Sequence, residues 1–78
     1  MYYNILMSGE LNLRITEKTE EQLIKEGWLL SGKFDLLDKE DELLVRENLK
    51  RWRAHHYEVI SKIADGGTQL FRKKLLRK

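Results

Sequence analysis

The 78-residue sequence contains no cysteine and no proline. The absence of cysteine excludes disulfides and thiolate metal sites, and it suits a reducing compartment. No run approaches the roughly 18 apolar residues that a membrane-spanning helix requires, and the amino terminus lacks the basic and then apolar layout of a secretion signal. We therefore expect a soluble, cytoplasmic protein without a membrane partner.

Internal repeats and low-complexity linkers are also missing, so we predict a single domain over residues 1–78. A domain of this size has a thin core, and small domains often gain stability from disulfides, a metal or a second subunit. Because cysteine is absent, self-association is the remaining aid. The sequence therefore favours a homo-oligomer.

Charge is distributed unevenly along the chain, although the net charge is only +2. Residues 1–45 carry five Lys and Arg against ten Asp and Glu, whereas residues 46–78 carry ten against three. Such asymmetry is typical of a chain whose basic half binds nucleic acid or another acidic surface. It also permits self-association of the acidic half of one copy with the basic half of another.

The amino-terminal segment alternates in polarity, since every second residue from Tyr3 to Ile15 is apolar or glycine. Strict alternation predicts strands with one buried face. A three-residue loop at Ser8-Gly9-Glu10 keeps the apolar residues of both arms on one face, which predicts a hairpin with strands at 2–7 and 11–16. The alternative is one strand of about 13 residues, which is long for a small domain.

Helical signals follow the hairpin. Thr19 and Gln22 have the spacing of a capping box and predict a short helix over 20–26. Apolar residues from Val45 to Ile63 recur at helical spacing and predict one long amphipathic helix over 39–64, which the glycines after Asp65 would end. The remaining segment favours a basic helix over 68–76, although Phe71, Lys73 and Leu75 also fit an edge strand. The predicted fold class is α+β.

The predicted long helix bears on assembly. Its central part, residues 41–63, would be about 35 Å long, whereas a compact domain of this size spans roughly 30 Å. Part of the apolar stripe would then need a partner, most simply the same helix of a second copy. The residues predicted for this interface are Leu49, Trp52, His56, Val59 and Ile63.

Catalytic and metal-binding patterns are weak, so we predict a protein that is not an enzyme and that needs no cofactor or metal. Adjacent His55 and His56 would point about 100° apart on a helix and could not grip one ion together. The segment 27–34 nearly matches a phosphate-binding loop, but Phe34 stands where a magnesium-binding hydroxyl is required. The serines lie in no recognisable nucleophile motif.

Basic and aromatic residues give the best functional hypothesis, which is non-catalytic binding of RNA or single-stranded DNA by a small regulatory protein. Cations neutralise phosphates, and tyrosine or arginine planes stack on exposed bases. The same residues could instead form only a solvated surface. The alternative function is a regulator or inhibitor, of the kind that a phage or mobile element encodes, that binds a protein through the long helix or the acidic half. The residues predicted to contact nucleic acid are Arg46, Lys50, Arg53, Tyr57, Arg72, Lys73, Lys74, Arg77 and Lys78.

Overall fold

The computed structural model describes residues 13–75. This part of the chain contains two helices and a four-stranded mixed sheet, which confirms the α+β class. The strands lie in the order β1-β3-β4-β2; β1 is parallel to β3, and the other neighbours are antiparallel. The elements in chain order are β1 Arg14–Ile15, α1 Glu20–Lys25, β2 Leu29–Phe34, α2 Lys39–Ala54, β3 Tyr57–Ala64 and β4 Gly67–Lys74.

The predicted amino-terminal hairpin falls mostly outside the described residues. Its first strand, 2–7, and its loop lie there entirely, and only the end of the second strand, 11–16, is described. At that end β1 pairs in parallel with β3, with Arg14 opposite Ile60 and Ile15 opposite Ser61. The buried Ser61 hydroxyl donates a 3.1 Å hydrogen bond to the Arg14 carbonyl.

Helix α1 begins where the capping box predicts. The Thr19 hydroxyl accepts from the Gln22 amide at 3.1 Å, and the Gln22 side chain accepts from the Thr19 amide at 2.9 Å. These two bonds satisfy donors that the first turn of a helix leaves without partners. The predicted short helix is therefore confirmed, and it buries Leu23.

The prediction of one helix over 39–64 is wrong in its second half. Helix α2 begins after the Asp38 cap, ends at Ala54, and is followed by the eight-residue strand β3. His56 adopts a left-handed conformation with φ of 67°, which turns the chain out of the helix. At 16 residues the helix is about 24 Å long, and the described chain extends 36 Å along its longest axis. Helix α2 is therefore shorter than the described part of the chain, and its length does not require a second copy.

The predicted basic helix over 68–76 is also wrong. Gly67–Lys74 forms β4, which lies between β3 and β2 inside the sheet and not at its edge. Asp65 and Gly66 form the tight turn that joins β3 to β4, with Ala64 opposite Gly67. Pairing on both sides gives β4 hydrogen bonds that outweigh the modest helix propensity of its Lys, Arg and Leu residues.

The sheet is covered on both faces. Helix α2 packs on one face, where its buried stripe of Val45, Leu49 and Trp52 meets Val59 and Leu70. The opposite face is covered by α1, where Leu23 packs against Ile60 and Phe71. Burial on both faces explains why β3 and β4 each contain two consecutive buried apolar residues and lack simple alternation.

Candidate nucleic-acid interface

The fold turns the charge asymmetry of the sequence into a difference between two ends of the molecule. Helix α2 runs from an acidic first turn, which contains Glu40, Asp41 and Glu42, to a basic last turn, which contains Arg51 and Arg53. Strand β3 then runs back, and β4 returns. The strand pairing sets Lys74 opposite Tyr57 and Lys73 opposite Glu58, beside the end of α2. We call this region the basic end; it comprises Arg51, Arg53, Arg72 and Lys74.

The acidic end lies at the other terminus of α2. The Asp35 amide donates to the Asp41 carboxylate at 2.8 Å, which ties the end of β2 to the first turn of the helix. The backbone of Gly67, directly after the β3–β4 turn, lies close to that of Phe34. Carboxylates at this end are therefore separated from the basic end by the length of α2. One carboxylate does lie nearer the basic end, because Glu58 is opposite Lys73 on β3 and binds Arg14 at 2.9 Å.

A cation–aromatic stack forms the centre of the basic end; it comprises Trp52, Arg72, Tyr57 and Lys74. The guanidinium carbon of Arg72 lies 4.7 Å from the centre of the Trp52 ring and 5.1 Å from that of Tyr57. The ammonium of Lys74 lies 4.9 Å from the Tyr57 ring centre. These distances are within the range of cation–π attraction.

The charges of the stack are not neutralised within the described residues. Arg72 forms no ion pair there, and its buried Nε has no hydrogen-bond acceptor. Lys74 donates to the His55 carbonyl at 2.7 Å, which caps the end of α2 and places a cation at the negative pole of the helix. Both side chains therefore keep their positive charge for an incoming anion.

The helical residues predicted for the site occupy the exposed surface of α2. Arg46, Lys50 and Arg53 are all exposed and share one flank. Arg46 donates to Glu42 one turn earlier at 2.7 Å, so part of its charge is offset. Arg53 belongs to the basic end, and Lys50 lies next to it along the helix and extends this end.

Tyr57, Lys73 and the carboxy-terminal residues have different positions from those predicted. Tyr57 does not continue the helical line; it is the first residue of β3 and reaches the same stack as Arg72 and Lys74. Lys73 lies on the opposite face of the sheet, where its ammonium is 5.4 Å from the centre of the Trp28 ring. Arg77 and Lys78 lie outside the described residues.

The residues predicted to form a subunit interface are divided between core and surface. Leu49, Trp52 and Val59 are 2%, 8% and 6% exposed, so they are core residues that the sheet of the same chain covers. They offer no surface to a second copy. His56 is exposed in the turn after α2, and Ile63 is half exposed on β3.

The sequence predicts most of the cations of the site but not the aromatic rings that they contact. Trp28 was not selected, because its contact with Lys73 depends on the unpredicted pairing of β2 with β4. The stack was missed for a related reason. Arg72 and Lys74 share a face at strand spacing, and Tyr57 joins them only when residues 57–64 are extended.

The part of the chain that the structure describes contains no group of three or more histidines or carboxylates placed to bind a metal ion. None of its helices is long and apolar enough to cross a membrane. No protein-family model matches the chain, and comparisons with curated proteins and with solved structures gave no significant match.

Proposed function

We propose that this protein binds single-stranded nucleic acid, RNA or DNA, without catalysis and through its basic end. The observation that carries the proposal is the cation–aromatic stack. Arg72 and Lys74 present charge that no carboxylate among the described residues neutralises, beside a half-buried tyrosine ring. Phosphates bind such cations with release of counterions, and exposed bases stack on aromatic and guanidinium planes.

The charges of α2 favour single strands over a duplex. A recognition helix inserts its amino-terminal residues into the major groove. The first turn of α2 contains Glu40, Asp41 and Glu42, which would repel the phosphates that flank the groove. The cations lie at the other end of this helix. There they can contact the phosphates of a flexible single strand, but they are not placed to enter the major groove of a duplex.

Salt dependence tests the proposal most directly. Labelled 12-nucleotide RNA and DNA strands and a matching duplex are titrated with the protein, and binding is followed by fluorescence anisotropy at 50 and 200 mM salt. Contact with three or four phosphates predicts that the affinity for a single strand falls about 20- to 50-fold over this range. Absence of binding by both single strands at 50 mM salt would rule the proposal out.

The alternative function, a regulator or inhibitor that binds another protein, has support at the acidic end. Leu37, Leu43 and Leu44 are 89%, 57% and 53% exposed, and they lie in a stretch that also contains Asp38, Glu40, Asp41 and Glu42. Exposed leucines beside carboxylates suit a basic and apolar partner. A protein that acts only through this surface would bind neither single strand at 50 mM salt, so the same titration separates the two functions.

A further inference from the structure

A groove lies on the face of the sheet opposite α2, between α1 and the strands. Its volume is about 330 Å³, at the lower end of the range of small-molecule sites. The segment after β1 forms one side, Trp28 forms another, and β3 and β4 lie beneath. The size suits a single small ligand or one unit of a chain.

The groove has an aromatic wall above buried core residues. Leu23 and Ile60 lie beneath it and are 0% and 4% exposed, so they offer a ligand almost no surface. Trp28 packs against the same cluster but stays partly exposed, and its ring is the apolar surface that a ligand can reach. The ammonium of Lys73 lies 5.4 Å from the centre of the Trp28 ring. A planar ring that displaces this ammonium from the face of Trp28 could lie against the indole, with an anionic substituent directed at Lys73.

The cations at the rim can accept an anion. Arg14 pairs with Glu58 at 2.9 Å and Lys18 pairs with Glu26 at 2.8 Å, but these four side chains are between 41% and 72% exposed. Exposed pairs contribute little free energy, so an anion can compete for the cation. Lys73 forms no ion pair with any residue in the described range, 13–75.

We propose that this groove binds one nucleotide unit, with the base against Trp28 and the phosphate at Lys73 and Arg14. The inference rests on the proposed function and names a second contact for the same strand. Successive residues of β4 point to opposite faces, so Arg72 and Lys74 belong to the stack, whereas Lys73 belongs to the groove. A strand that crosses the end of β4 can contact both.

An NMR titration with uridine 5′-monophosphate tests the groove separately from the basic end. We expect the largest shifts at the Trp28 indole N–H and at the methyl groups of Leu23 and Ile60, with the Trp52 indole N–H unchanged. Lys73→Gln should raise the dissociation constant about fivefold or more, because a charged contact is lost. Lys62→Gln is the matched control, since Lys62 is on the same face but does not line the groove; it should change binding less than about twofold.

Three results would overturn the inference: no shifts, shifts confined to the stack, or identical shifts with inorganic phosphate at the same affinity. Each leaves the proposed function to be judged by the anisotropy titration, so the two failures are distinguishable. A uridine 12-mer then identifies the source of the nucleotide. If the NMR signals of the groove residues shift at lower concentrations of the 12-mer than of the monophosphate, the ligand of the groove is a nucleic-acid strand. If the monophosphate is effective at lower concentrations, the groove still binds a nucleotide, but its ligand is a free nucleotide.

Discussion

The guanidinium carbon of Arg72 lies 4.7 Å from the centre of the Trp52 ring, where β4 passes the last turn of α2. The same group reaches the Tyr57 ring at 5.1 Å, so one side chain links a helix and two strands. Packing at this junction and the positive charge of the basic end therefore depend on the same residue. Substitutions can separate these two roles.

Replacement of Arg72 by methionine is expected to change stability little. The two ring contacts contribute roughly 0.5–1 kcal/mol each, but the buried Nε without an acceptor costs about 1–3 kcal/mol. These contributions nearly offset, and methionine preserves most of the packing. The free energy of unfolding, measured by urea denaturation, should change by less than about 1 kcal/mol.

The same Arg72→Met variant is expected to bind single-stranded RNA about tenfold more weakly, because a charged contact with phosphate is worth about 1.5 kcal/mol or more. Anisotropy at 50 mM salt measures this change. A loss of more than about 2 kcal/mol of stability with unchanged affinity would instead make Arg72 a purely structural residue.

The helical part of the interface can be tested with two doubly substituted proteins of equal net charge. Lys50→Gln with Arg53→Gln removes one cation of the basic end and its neighbour along α2, whereas Lys33→Gln with Lys39→Gln removes two exposed cations near the acidic end. If both residues of the first pair contact phosphates, the slope of log affinity against log salt should decrease by about 1.4. The second pair should leave the slope nearly unchanged. Equal losses of affinity from both pairs of substitutions would show that binding depends only on the net charge of the protein.

The conformation of His56 predicts an unusual order of stabilities. Its φ of 67° is in the left-handed region, which costs a residue with a Cβ roughly 1–2 kcal/mol relative to glycine. His56→Gly should therefore be about 1 kcal/mol more stable than His56→Ala. Comparing these two variants cancels the contribution of the imidazole, which neither retains. Equal denaturation midpoints would contradict the left-handed turn at the end of α2.

Local signals in the sequence predicted the starts of the two helices but not the path after α2. The caps at Thr19 and Asp38 act within one turn, so they can be recognised without tertiary structure. Val59 and Ile60 fit the buried stripe of a helix, and they equally suit β3 because each packs against a core cluster on its own face of the sheet. Nothing in these residues alone distinguishes the two cases.

The candidate site could be predicted only as separate charges. Arg72, Lys74 and Tyr57 were recognised by residue type, yet the contacts among them require two strands and a helix to meet. Trp28 had no distinguishing local pattern at all. A hairpin signal was present in Asp65-Gly66, the dipeptide favoured in two-residue turns, but the neighbouring glycine made it resemble the end of a helix.

The turn itself provides a final test. Gly66 has φ of 82°, and a Cβ there would meet only Lys33 side-chain atoms at 3.6 Å or more, so strain and not crowding determines the cost. Gly66→Ala should lower the free energy of unfolding by about 1–2 kcal/mol. Asp65→Asn is the matched control, because Asp65 does not have a positive φ and asparagine suits turns for the same reasons as aspartate; it should change stability by less than about 0.5 kcal/mol. Equal stability of the two variants in urea denaturation would contradict a chain reversal through a left-handed glycine at this position. It would also contradict the β3–β4 register that places Tyr57 opposite Lys74.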